Sequence, residues 1–287
     1  MKKFAEVCLI GAPNAGKSTL LNQLLGQKVS IVTHKIHTTR DNIRGILTDD
    51  SAQLVFTDTP GFLELPKLAL EKKIARKALK KLSSVYFVCI LIDVNKKNCL
   101  QNDLLRHDFY EKLPHPPIVL LNKIDLMPNK EKLLPLLDEL QQLNFTRVYL
   151  ISATKNKGVD DLKKYLLQNM PLGEWQYAEE HSTDRSAKIM AEDITREKLY
   201  NFLHKEIPYA LTVQTESWQE TKEGEVVLHQ TILVSRSNQK NIMLGEKGEV
   251  MKKVGMQSRA DISKMIGKQV HLFLHVKVNK KWLQLLR

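Results

Sequence analysis

Gly11-Ala12-Pro13-Asn14-Ala15-Gly16-Lys17-Ser18 directly follows the apolar run Phe4–Ile10 and, with Thr19, opens a segment of helical pattern. The stretch fits G-x-x-x-x-G-K-[ST], and a strand before it with a helix after it is the context in which that pattern cradles phosphates. Glycines let backbone N–H groups turn inward, and the helix N-terminus adds positive potential. Lys17 supplies a point charge, and the Ser18 hydroxyl can ligate Mg²⁺. The first expectation is therefore a nucleotide-binding domain of the α/β class.

Outward from this loop, short apolar runs recur at Leu54–Thr57, Val85–Ile92, Ile118–Asn122 and Val148–Ile151, each before a loop and a helix-like segment. That rhythm predicts βα units around a mainly parallel sheet over residues 1–170, with ligands bound beyond the carboxyl ends of the strands. The other motifs fall at those ends. Asp58-Thr59-Pro60-Gly61, with Phe62 next, places a carboxylate where it can hold a metal through water and a glycine N–H near a terminal phosphate. Asn122-Lys123-Ile124-Asp125 carries selectivity. Guanine presents two adjacent donors, N1–H and the 2-amino group, which the two oxygens of Asp125 can accept together; adenine has no such pair. Ser152-Ala153-Thr154 stands where a main-chain N–H can meet the guanine O6.

A chain of 287 residues exceeds one ordinary core, so two domains are expected. With 43% hydrophobic and 26% charged residues, the balance is that of a soluble globular protein. The formal net charge of +12 points to an acidic partner, nucleic acid ahead of an anionic membrane surface. Its distribution is uneven. Residues 176–230 hold 6 Lys and Arg against 11 Asp and Glu, whereas 231–287 hold 12 against 3, which makes the last 57 residues the stronger footprint. A second basic run, Lys67, Lys72, Lys73, Arg76, Lys77, Lys80 and Lys81, reads equally as a solvated helix face or a contact surface.

Cys8, Cys89 and Cys99 form no C-x-x-C pair, which suits free thiols in a reducing cytoplasm. Met1-Lys2-Lys3 imitates a signal peptide, but Glu6 interrupts the apolar stretch and a first strand is the better reading. The longest apolar run, Val85–Ile92, is far below the roughly 20 residues needed to span a bilayer. His107, His115, His271 and His275 lack partners at metal-ligand spacing, so no transition-metal site is expected. Met243, Met251, Met256 and Met265 recur near helical spacing and read as core.

Between 171 and 186 the apolar pattern lapses into polar and turn-forming residues, which predicts a linker. From Ala187 the expected order is α-β-β-α-α-β: a helix to about Lys205, strands at Ala210–Trp218 and Val226–Ser235 joined around Glu223-Gly224, a short helix near Gln239–Met243, a helix over Glu249–Ile266 and a strand over Val270–Val278. Gly245-Glu246-Lys247-Gly248 lies between the two helices of this basic region. Glycines there let phosphates approach main-chain N–H groups, with Lys247, Lys252 and Lys253 as counter-charge. That is the pattern of a G-x-x-G loop, which in a KH fold clamps about four nucleotides. Glu246 opposes a nearby phosphate and must point outward or weaken the hold.

The four nucleotide motifs, in this order and spacing, resemble the TRAFAC GTPases. His37-Thr38-Thr39-Arg40-Asp41, preceded by Leu25-Gly26-Gln27-Lys28-Val29-Ser30-Ile31, resembles switch I of the Era and MnmE branch. The resemblance implies GTP and GDP as ligands, with Mg²⁺ held by Ser18 and by Thr39 when GTP is bound, and a monovalent cation such as K⁺ near Asn14 and Thr38. Ras-like proteins place a water-orienting glutamine where Phe62 stands, so unassisted hydrolysis is expected to be slow and the catalytic residue is not identified. Leu63-Glu64-Leu65-Pro66-Lys67 departs from the His-x-Pro-Lys string of related sequences.

In the C-terminal region, Ile194-Thr195-Arg196-Glu197-Lys198-Leu199, Glu206-Ile207-Pro208-Tyr209, Arg236-Ser237-Asn238-Gln239-Lys240, Arg259-Ala260-Asp261-Ile262 and Val276-Lys277-Val278 to Trp282 resemble the type II KH domain of the Era family. The implied architecture is a P-loop GTPase domain over 1–170, a linker over 171–186 and an α+β type II KH domain over 187–287. The implied task is a GTP-driven switch that binds the 3′ region of small-subunit ribosomal RNA and assists small ribosomal subunit assembly. It would act as a cytoplasmic monomer with peripheral membrane association. Two alternatives stay open: a GTPase serving RNA modification, and an RNA clamp in which GTP is structural.

Overall fold

Apolar runs too short for helices and flanked by turn residues become strands where helices cover both faces of a sheet. A computed structural model describes residues 1–31, 43–58, 85–100, 113, 115–203, 210–244 and 248–279. It divides into two compact units, Met1–Asp184 and Arg185–Arg287.

The first unit is built on six strands: β1 (Lys3–Gly11), β2 (Ile43–Asp49), β3 (Ala52–Asp58), β4 (Phe87–Asp93), β5 (Ile118–Asn122) and β6 (Val148–Leu150). Their order in the sheet is β2-β3-β1-β4-β5-β6, with every neighbouring pair parallel except β2 and β3. Every residue of β3, β4 and β5 is buried. Helices α1 (Lys17–Leu25), α2 (Leu133–Gln142) and α3 (Val159–Gln168) follow β1, β5 and β6. The chain leaves β1 to pair on one side with β3 and on the other with β4. This reversal opens a crevice at the carboxyl ends, where Gly11, Asp58, Asp93 and Asn122 terminate their strands.

Two features of this unit differ from the sequence-based expectation. The antiparallel edge strand β2 has no intervening helix; the tight turn at Asp50, with φ 48°, returns it onto β3. Residues 171–184, which read as a linker, belong to the first unit and run past the starts of β1 and β3 and along β2 at Gly45 and Ile46. The fastening is the buried side chain of Gln53, which accepts from the backbone N–H groups of Gln176 (3.0 Å) and Tyr177 (3.1 Å) and donates to the Tyr177 carbonyl (2.9 Å). Arg44 Nη1 donates to the Tyr177 hydroxyl at 2.8 Å, Thr183 Oγ1 donates to the Arg44 carbonyl at 2.8 Å, and Ile46 N donates to the Ser182 carbonyl at 2.8 Å. A polar, aperiodic stretch reads as free because such bonds come from partners more than a hundred residues away.

The second unit follows the expected α-β-β-α-α-β order: α4 (Ala187–Phe202), β7 (Leu211–Glu220), β8 (Val226–Val234), α5 (Ser237–Leu244), α6 (Glu249–Ile266) and β9 (Val270–Val278). The sheet order is β7-β8-β9, antiparallel between β7 and β8 and parallel between β8 and β9. Leu199, Tyr200, Leu211, Val213, Ile232, Val234, Met243 and Val254 form one core cluster, and Ala191, Ile194, Val226, Leu228, Ile262 and Val270 a second. Met251 and Met265 pack at their margins, but Met256 is 56% exposed and is not core, because it lies on the face of α6 opposite Val254 and Ser258. Cys8 and Cys89 are buried and Cys99 is partly buried, and none of the three is in a disulfide. Among the described residues no helix is long and apolar enough to cross a membrane.

Gln53→Leu would leave three backbone groups of residues 176 and 177 without their partner, at a cost of about 1–3 kcal/mol per group that stays buried. The expected outcome is a lower urea midpoint together with new protease cleavage within 171–184; an unchanged midpoint and an uncut strap would show that Gln53 is not the fastening.

Candidate functional site

At the end of β1 the chain passes so close to β4 that a Cβ on Gly11 would lie 2.6 Å from the Leu91 carbonyl oxygen. It then turns through Asn14 (φ 62°) and Gly16 (φ 104°), both left-handed, into α1 at Lys17. A Cβ on Gly16 would lie 2.3 Å from Nδ2 of Asn122, so only glycine admits that side chain. Asn122 uses the access fully. Its Nδ2 donates to the Ala15 carbonyl at 2.7 Å, and its Oδ1 accepts from the Ala153 N–H at 3.0 Å. One buried amide thus ties together the loops that follow β1, β5 and β6.

Lys17 is buried, and its Nζ donates to the carbonyls of Gly11 (2.8 Å) and Ala12 (3.2 Å). Burial pulls its pKa below the ordinary lysine value; Asp58 raises it and Lys96 lowers it further. Ser18 Oγ donates to Oδ2 of Asp58 at 2.7 Å, and Ser30 Oγ donates to the same oxygen at 3.3 Å. The other oxygen, Oδ1, is buried with no hydrogen-bond partner among the described residues. Burial raises the Asp58 pKa above the ordinary carboxylate value, against the opposing pull of Ser18, Lys17 and Ser30.

On the far side of the crevice, Lys123 is held in the left-handed region (φ 66°), and its Nζ pairs with Oδ2 of Asp93 at 2.7 Å. Asn95 donates from its backbone to Asp93 Oδ1 at 3.1 Å and from Nδ2 to the Lys123 carbonyl at 3.0 Å. Lys96 Nζ reaches the Pro13 carbonyl at 3.3 Å. Ile124 is buried and can present only backbone, whereas Asp125 stands exposed in the short 3-10 turn Ile124–Leu126. Ser152 N–H donates to the Lys157 carbonyl at 2.9 Å and Ser152 Oγ accepts from Lys155 N at 3.2 Å, so the N–H groups of Ser152 and Ala153 both have protein acceptors. The buried Asn122 oxygen requires this of Ala153, a demand that the tripeptide alone does not disclose.

In the second unit Gly248 (φ 75°) caps the start of α6, and no atom of the described residues is given within 4 Å of where its Cβ would be. Lys252 and Lys253 are exposed in the first turns of α6, and Lys253 lies 4.0 Å from Glu249. Thr38, Thr39, Thr59, Pro60, Gly61, Phe62, Gly245, Glu246, Lys247 and the basic run of 67–81 lie outside the described residues.

The family model described as a 50S ribosome-binding GTPase matches residues 6–123, and the KH domain model matches 206–283. GTPase Era of Bradyrhizobium sp. strain BTAi1 is 43% identical over 277 residues, covering 96% of this chain and 89% of that protein. The chain belongs to the GTPase Era family. GTPase Era of Brucella suis is likewise 43% identical, over 96% of this chain and 88% of its own. Era in complex with MgGDPNP and nucleotides 1506–1542 of 16S ribosomal RNA is 33% identical with a TM-score of 0.87, covering 98% of this chain and 95% of that one. A variant of Aquifex aeolicus Era bound to GDP and aluminium fluoride is 34% identical, with a TM-score of 0.86 and the same coverage.

One solved relative carries Mg²⁺ with its nucleotide, and the oxygen donors of this chain suit such an ion. The Asp58 carboxylate, with one oxygen lacking a partner among the described residues, and the Ser18 hydroxyl are oxygen donors of the kind a hard cation takes, whereas the Lys17 ammonium suits phosphate oxygens instead. Sequence reading missed Asp93, Asn95, Lys96 and Ser30. The first was within reach, since Asp93 ends an apolar strand as Asp58 and Asn122 do; the others touch the motifs only through loop geometry.

Asp58 also predicts a pH effect in the protein free of nucleotide and magnesium. Its folded pKa lies above the unfolded one, so its contribution to stability is full below the unfolded value and is lost as pH rises through the folded value. Asp58→Asn cannot ionise and escapes that loss. Denaturation across a pH series is expected to find the variant gaining on the parent as pH rises out of the carboxylate range, then holding a constant lead; a pH-independent difference would contradict the assignment.

Proposed function

We propose that this Era-family GTPase couples the bound guanine nucleotide to its hold on single-stranded RNA at the 3′ region of small-subunit ribosomal RNA, and thereby assists small-subunit assembly. The observation that supports the nucleotide half is the Asn122 staple, which ties the loop before Lys17 to the strand end that leads into the Asp125 turn. The RNA half is supported by Gly248 at the start of α6, the positive balance of residues 231–287, and a relative that binds nucleotides 1506–1542 of 16S ribosomal RNA.

In this reading the backbone of Gly11, Ala12, Pro13, Asn14, Ala15 and Gly16 wraps the phosphates, with Ser18 and Thr19 at the head of α1. Lys17 exchanges its two carbonyl partners for phosphate oxygens. Ser18 and Thr39 would hold Mg²⁺, with Asp58 beside them as a further acceptor, and the ion would neutralise phosphate charge. Asn14 and Thr38 favour a K⁺ ion beside the phosphates. Asp58 through Phe62 respond to the terminal phosphate, and Phe62 offers no hydrogen bond to orient a water, so turnover depends on a partner. Lys123 is braced by Asp93 and Asn95 along the purine, and Asp125 accepts from N1–H and the 2-amino group. Gly245, Glu246, Lys247 and Gly248 with Lys252 and Lys253 form the RNA clamp. The protein works in the cytoplasm as a monomer, and its basic surface allows peripheral attachment to anionic membrane.

Asp125→Asn is expected to weaken GTP binding about 10- to 100-fold, the loss of a charged hydrogen-bond pair. It should improve binding of xanthosine triphosphate, whose 2-oxo group matches the new amide donor. Competition titration against both nucleotides checks this, and retention of full GTP preference would refute the role of Asp125. Single-turnover phosphate release should accelerate when a pyrimidine-rich RNA strand is added; equal rates, with equal RNA affinity in GTP and GDP, would refute the coupling.

A further inference from the structure

The turn over residues 93–96, which follows β4, lies in none of the sequence motifs, yet each of its residues is bonded to one. Asp93 Oδ2 accepts from Lys123 Nζ at 2.7 Å, and Val94 N donates to the Asn122 carbonyl at 3.2 Å. Asn95 Nδ2 donates to the Lys123 carbonyl at 3.0 Å, and Lys96 Nζ donates to the Pro13 carbonyl at 3.3 Å. The turn is also closed on itself. Asn95 donates to Asp93 Oδ1 from its backbone at 3.1 Å and from Nδ2 at 3.4 Å, and Lys96 N donates to the Asp93 carbonyl at 3.2 Å. With Oδ1 engaged inside the turn, Oδ2 is left for Lys123.

Lys123 needs this support. Its backbone is left-handed, with φ 66° and ψ 34°, at the head of the short turn that carries Asp125. A residue other than glycine keeps that conformation only where its surroundings impose it. Its carbonyl accepts from Leu126 N at 3.1 Å as well as from Asn95, and its ammonium is met by Asp93, so the 93–96 turn holds both its backbone and its side chain. At the phosphate end the Lys96 ammonium holds Pro13 and is near enough to Lys17 to act on its charge.

The Asn122 staple joins the same loops from the inside, at 1% exposure, whereas Asn95 and Lys96 are exposed and the Lys123 side chain is 29% exposed. Water replaces the partners of exposed groups at little cost but leaves a buried group stranded. Of the two ties, the outer one therefore opens more readily.

We propose that the 93–96 turn is a further nucleotide-binding element, an outer clasp that joins the base-recognition turn to the phosphate loop and sets how long a guanine nucleotide stays bound. Asp93 and Asn95 are positioning residues for Lys123, and Lys96 is one for the phosphate loop. The proposal rests on the nucleotide reading above and adds control of release, the step in which most changes of affinity at one site appear.

The test follows release of a fluorescent GDP from the full chain. Asp93→Asn keeps the shape of the side chain but withdraws the charge that meets Lys123, and release is expected to quicken about tenfold, as for a charged hydrogen bond at a partly exposed site. Because Asp93 acts through Lys123, the double variant Asp93→Asn with Lys123→Met should release GDP no faster than Lys123→Met alone. Tripolyphosphate, which has no base, should bind Asp93→Asn and the parent equally. Lys96→Met, at an exposed position where folding is not at stake, should quicken release about threefold at low salt, with Lys96→Arg restoring the parent rate. Lys97→Met, the same loss of charge one residue along, should leave it unchanged. If either Asp93→Asn or Lys96→Met releases GDP at the parent rate, the clasp is overturned and the nucleotide reading stands. An Asp93→Asn effect that adds in full to that of Lys123→Met, or that weakens tripolyphosphate as much as GDP, marks a general loosening of the site and also overturns it. A parent chain that does not hold GDP overturns both readings.

Discussion

The nucleotide site depends on one hydrogen-bonded amide. Asn122, 1% exposed, donates to the Ala15 carbonyl and accepts from the Ala153 N–H. Three loops from three strands are fixed relative to one another by a group whose loss would strand two buried backbone partners. Gly16 is the steric counterpart, because any side chain there would occupy the position of Asn122 Nδ2. A glycine commonly credited with letting backbone approach phosphate here also makes room for the staple.

Around that staple the chain holds several unfavourable arrangements. Lys17 and Asp58 are charged groups in burial that opposes their ionisation, and Asp58 keeps one oxygen without a hydrogen-bond partner among the described residues. Asn14 and Lys123 sit in left-handed backbone that non-glycine residues seldom adopt. The surrounding sheet, with three consecutive strands buried along their whole length, supplies the rigidity that keeps these features in place.

The second unit is organised differently. Its helix α4 buries Asp193, Thr195, Arg196 and Glu197, and Asp193 accepts from both Arg185 and Arg196. Thr195 Oγ1 donates to Gln230 at 2.6 Å, and Gln230 in turn donates to Thr215 at 3.3 Å, so a polar ladder crosses between helix and sheet. These bonds fix how α4 sits on β7 and β8.

Strands β1 and β3 to β6, the helix after the phosphate loop and the whole α-β-β-α-α-β order were legible in the sequence, because periodicity, glycines and capping residues act within a few neighbours. The motif positions could be placed for a related reason, since Asp58 and Asn122 end strands, Lys17 starts a helix and Asp125 lies in a short turn. Tertiary structure alone decided that β2 returns as an antiparallel edge, that 171–184 is strapped to Gln53, that Met256 faces solvent and that the Ala153 N–H belongs to Asn122. For the strap and for Ala153 the deciding partner is far along the chain, and short-range pattern carries no information about a hydrogen bond made at that separation; for β2 and Met256 it was the surface that each packs against or turns away from.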